Sequence, residues 1–160
     1  MIHLTNILKA LVLHLLLCIS SYALEYFEIY PSPWIPAAIS LALYVLCGYF
    51  LLKPVKRFPP LPCLALLLFV LGGLVFALSA ENHSDQYKFA YFNPTTALGF
   101  LVMDLLPQAG DALEAALYWI GFWLPFVLPS LFLYLGMLLR RQRIRKSAQS
   151  AMQEGAQIPA

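Results

Sequence analysis

What most constrains this chain is the alternation of four apolar stretches with short polar connectors whose positive charges fall on one side. Of the ten Lys and Arg residues, all but Lys88 share a side if the chain crosses a bilayer four times. These are Lys9, Lys53, Lys56, Arg57, Arg140, Arg141, Arg143, Arg145 and Lys146. The acidic residues Glu25, Glu28, Glu81, Asp85, Asp104, Asp111 and Glu114 fall on the other side, with Glu154 the exception. Lys and Arg translocate poorly, so their bias orients a membrane protein, while acidic residues contribute little. This pattern places both termini in the cytoplasm.

Composition agrees. The 160 residues are 61% hydrophobic and 11% charged, whereas soluble domains run at about half apolar and about a quarter charged. That balance excludes an ordinary water-soluble domain, and a disordered chain needs the opposite one. The length suits a single domain. The basic run Arg140 to Lys146 directly follows an apolar stretch, the place of a stop-transfer anchor facing phospholipid, so no nucleic-acid partner is expected. Cys18, Cys47 and Cys63 all lie in apolar stretches without a C-x-x-C pair. They read as small buried hydrophobes, not redox thiols.

A helix needs about 20 apolar residues at a rise of about 1.5 Å to cross a hydrocarbon core. The expected spans are about Leu4–Leu24, Trp34–Leu52, Leu61–Ser79 and Tyr118–Leu139. The fold class is therefore all-α: a polytopic membrane protein with four transmembrane helices in an antiparallel bundle, within a single domain of residues 1–146. A Lys-bearing start, a leucine-rich middle and Ser21-Tyr22-Ala23 also fit a secretory signal peptide, which would leave three spans. Prolines at positions 54, 59, 60 and 62 make the inner connector short and stiff, so spans two and three are antiparallel neighbours. Residues 147–160 read as a flexible cytoplasmic tail, either disordered or a fraying helix.

The outer segment, residues 80–117, has room for something specific. Asn93-Pro94-Thr95 is a helix-start signal. A short helix over about 95–106 follows, too short to cross, lying flat at the interface or re-entering the membrane. Pro107 to Gly110 breaks it. Asp111-Ala112-Leu113-Glu114 resembles a capping box that opens the last helix.

Six residues stand out as candidates. Asp104 is an ionisable group among apolar neighbours, costly at membrane depth unless it faces water or a partner. With Asp111 and Glu114 it could gather cations at an outer mouth. His14 sits near the middle of the first span and is expected to hydrogen-bond another helix. Pro125 and Pro129, one turn apart, each remove a backbone hydrogen bond and should kink the last span; freed carbonyls can line a cavity. Gly72-Gly73 reads as a site of close helix packing or as a weak point. Glu81 to Asp85 holds two carboxylates and a histidine but no defined ligand spacing.

No catalytic motif, metal set or cofactor fingerprint is legible. The expectation is a small plasma-membrane protein acting as a non-enzymatic accessory or interaction subunit, or an assembly or protective factor. Its partners would be membrane lipid and a larger membrane protein or a second copy. A small channel or transporter, alone or as a dimer, with a site near Asp104 and the kinked last helix, is the alternative. A membrane enzyme is the third class, and no nucleophile, base or metal set supports it.

Overall fold

The computed structural model describes residues 2–27, 34–53, 60–79, 94–95, 98 and 111–156. The described residues are all-helical. Helix α1 spans Ile2–Tyr26, α2 Trp34–Leu46, α3 Leu61–Ser79 and α4 Asp111–Ala156. A π-helical turn, Cys47–Leu51, continues α2. It closes with an i→i+5 bond, Leu52 N donating to Cys47 O at 3.2 Å. The bounds of α3 are those read from hydropathy. Helix α4 is far longer than the expected span: it begins at Asp111 and continues to Ala156, well into the stretch that composition assigns to a flexible tail. The expected short helix over 95–106 lies outside the described residues except for Thr95 and Leu98, which Leu98 N→Thr95 O joins at 3.1 Å.

Helix α4 packs on both α2 and α3, while α1 lies chiefly against α3 and touches α2 lightly. The ends alternate. The start of α1, the end of α2, the start of α3 and the middle of α4 meet at one level, where Asn6 bonds Lys53, Cys63 meets Met137 and Arg140 reaches Leu52.

The helix faces reverse those of a water-soluble bundle. The interior stripe of α1 is Asn6, Ala10, His14, Leu17 and Ser21, at spacings of four, four, three and four. Its opposite face is Leu4, Leu8, Val12, Leu15 and Ile19, with Leu4 71% exposed and Asn6 fully buried. On α2 and the start of the π turn the buried positions include Ala37, Ser40, Tyr44 and Cys47, and the exposed ones include Ile35, Ile39, Leu43 and Leu46. A helix at a water surface puts its polar face outward. Here polar groups point in and aliphatic ones out.

Two described helices are long and apolar enough to cross a membrane, Ile2–Leu24 and Trp119–Ser150. Only 22% and 39% of their apolar windows are buried, unlike the core helix of a soluble protein.

The tightest packing joins α2 to α4. A Cβ on Gly48 would collide with the Leu133 carbonyl, and one on Gly136 with the Val45 carbonyl. The two backbones therefore touch with no side chain between them, which small residues permit in helix pairs. Gly72 is not such a place: it is exposed, and a Cβ there would meet nothing within 4 Å among the described residues. Gly48 and Gly136 share a contact across two distant elements that no local sequence pattern announces.

Gly48→Ala and Gly136→Ala are each expected to destabilise the detergent-purified protein by about 1–3 kcal/mol. Gly72→Ala should be neutral or slightly stabilising. Unfolding midpoints of the three variants check this.

Candidate functional site

The last carbonyls of α2 and its π turn have no partner within the helix, so they need donors from elsewhere. Other elements supply them. Lys9 of α1 donates Nζ–H to Leu51 O at 3.0 Å. Arg140 of α4 donates from Nη1 to Phe50 O at 3.3 Å and also to Leu52 O. Asn6 of α1 closes a two-bond ring on one residue: Nδ2 donates to Lys53 O at 2.9 Å, and Lys53 N donates to Asn6 Oδ1 at 3.0 Å. Cations at a helix C-terminus also complement its partial negative charge. Next to this cap, Arg143 donates from Nη1 to Tyr49 Oη at 2.7 Å. Tyr49, Phe50, Arg140, Arg143, Ile144 and Ser147 together line an open cleft of about 390 Å³ between the π turn and α4.

A second polar cluster sits deeper. His14 Nδ1 lies 2.6 Å from Tyr44 Oη on α2, and Nε2 lies 3.5 Å from Cys18 Sγ on the next turn of α1. A neutral imidazole donates from one nitrogen and accepts at the other. If the phenol donates to Nδ1, then Nε2–H points at sulfur; the other tautomer reverses both bonds. The Phe69 ring of α3 packs edge-on against the imidazole at 6.0 Å. His14 thus ties three helices together, and its hydrogen bond runs to a neighbouring helix.

The third feature explains one of the prolines. A proline at 129 has no N–H to give the carbonyl four residues earlier. That carbonyl, Pro125 O, accepts instead from Thr95 Oγ1 at 2.6 Å. Thr95 is fully buried, so this bond pins part of the outer segment to the freed carbonyl. Helix α4 continues through both Pro125 and Pro129. Ser130 beside them is buried, and its Oγ has no hydrogen-bond partner among the described residues.

Of the remaining candidates, Asp111 and Glu114 fall in the first turn of α4, with side chains outside the described residues. Asp104 lies outside them entirely, as does Glu81 to Asp85. Among the described residues no group of three or more His, Cys, Asp or Glu is placed to hold a metal ion.

Sequence reasoning missed Asn6, Tyr44, Tyr49 and the bonding of Thr95. For Asn6 a signal existed. Asn6, His14 and Ser21 recur on one face at helical period in an otherwise apolar span. The chain matches no known protein family, no curated protein and no solved structure.

Thr95→Val should cost about 1 kcal/mol by removing a buried hydrogen bond. In the Pro129→Ala background, residue 129 regains an N–H for Pro125 O, so the same Thr95→Val change should cost much less. A double-mutant cycle on unfolding free energies measures that coupling. Tyr44→Phe should cost about 0.5–1.5 kcal/mol by the same measurement.

Proposed function

We propose that this protein is a four-span integral membrane protein of the plasma membrane, with both termini cytoplasmic, that serves as a non-enzymatic accessory or interaction subunit. The observation that carries the membrane part is the inversion of the helix faces, with Asn6, His14 and Ser21 inside and Leu4, Leu8 and Ile19 outside. In water such exposure is costly; in lipid, where tails are as apolar as leucine, it costs nothing and the polar groups bond one another.

Lengths support the same reading. The 19 residues of α3 extend about 28 Å, and α2 with its π turn is of similar length. The bonds from Asn6 and His14 to α2 support counting α1 as a span. Orientation rests on the positive charges gathered where α1 begins, α2 ends and α4 leaves the bundle.

The accessory role is supported by what the interior polar groups do. Asn6, Lys9, Tyr44, Thr95 and Arg140 each bond a helix end, a freed carbonyl or a neighbouring helix. Each of these bonds is architectural. Trp119, Ile120, Trp123 and Val127 on α4 leave a broad aromatic and aliphatic face exposed. Such a face suits a larger membrane protein, where aromatic residues are favoured contacts.

Cytoplasm-specific reporters at Pro59 and after Ala160 should be active, and one at Lys88 silent; the reverse pattern would overturn the orientation. Affinity purification in mild detergent should recover a stoichiometric membrane partner, and repeated recovery of the chain alone would remove the accessory role.

A further inference from the structure

The cleft between the π turn and α4 has a chemistry that the capping bonds do not use up. We infer that it is a specific site for the phosphate of one anionic phospholipid in the cytoplasmic leaflet. This rests on the membrane reading above and adds a defined ligand class and place to it.

A guanidinium carries five N–H donors in a planar fork. The described bonds of Arg140 and Arg143 leave from one nitrogen of each, Nη1. Both arginines, about one turn apart on α4, line the same cleft with Ser147, and each guanidinium has N–H donors beyond those bonds. Forked donors match phosphate oxygens in pairs. The bonds to Tyr49 and to the Phe50 and Leu52 carbonyls also hold both side chains in position, which lowers the ordering cost of binding.

Charge balance points the same way. Between Met1 and Lys9, between Leu52 and Pro62, and between Arg140 and Gln153, the chain has no Asp or Glu. Along these stretches the chain supplies nine cations and no carboxylate. The anion that neutralises them comes from outside the chain.

The walls of the cleft favour a lipid over a free phosphate. Phe50 is 64% exposed and Ile144 48% exposed, beside the arginines. An ion in water gains nothing from such surfaces. A phospholipid gains from both, placing phosphate on the guanidiniums and acyl chain against Phe50 and the exposed aliphatic face of α2. Basic pockets between helices on the cytoplasmic side recognise headgroups in this manner.

The test is native mass spectrometry of the full chain in mild detergent, with phosphatidylglycerol or phosphatidylcholine added and with inorganic phosphate as competitor. One phosphatidylglycerol per chain should be retained in preference to phosphatidylcholine. Arg143→Gln should weaken retention about tenfold, the value of a lost charge-assisted contact. Arg145→Gln, which removes an exposed charge that does not line the cleft, should leave it nearly unchanged. Ser147→Trp fills the cleft at constant charge and should weaken retention as Arg143→Gln does. Equal losses for Arg143→Gln and Arg145→Gln would mean diffuse attraction and overturn the site. Displacement of the lipid by millimolar phosphate would overturn the lipid in favour of a free anion. A chain that stays monodisperse without detergent would instead sink the membrane reading itself.

Discussion

The end of α2 is the joint on which the bundle depends. A helix that stops leaves its last carbonyl oxygens without donors of its own. In this chain the donors come from α1 and α4, through Lys9, Asn6 and Arg140. Three helices are thus fixed to one another at one level by groups that each need the others. The π turn belongs to the same arrangement. Its extra residue per turn brings the Phe50, Leu51 and Leu52 carbonyls to where cations from two sides reach them.

Above this joint the interior changes character. His14, Tyr44 and Cys18 form a small hydrogen-bonded set, and then Phe126 and Leu133 with Leu66 and Val70 fill the space between α3 and α4. Gly48 and Gly136 let α2 and α4 approach to backbone contact. Polar bonding fixes which helices meet, and small residues fix how closely.

Much of the helical outline was legible in the sequence, because runs such as Leu61–Ser79 are apolar from end to end and bounded by proline or polar residues. The length of α4 was not. Residues 147–156 are polar, and composition alone does not separate a solvated helix from a loose tail; continuity with a long rigid helix decides it. The basic residues were visible but were read only as signals of orientation. That Lys9 and Arg140 also cap carbonyls depends on Phe50 and Leu51, 42 to 90 positions away, and such pairings leave no trace in local spacing. The bond from Thr95 to Pro125 is similar: the prolines marked a free carbonyl, but nothing near them named its donor. His14 was singled out by being polar in an apolar run, and that contrast is the most reliable clue a membrane-like sequence offers.

The polar stripe of α1 has a consequence for how the chain is made. Synthesis delivers α1 first, yet the partners of Asn6 and His14 are Lys53 and Tyr44, which emerge only as α2 is completed. These bonds span 47 and 30 positions, so the pairing of α1 with α2, and not α1 alone, is the smallest unit in which the stripe finds these partners.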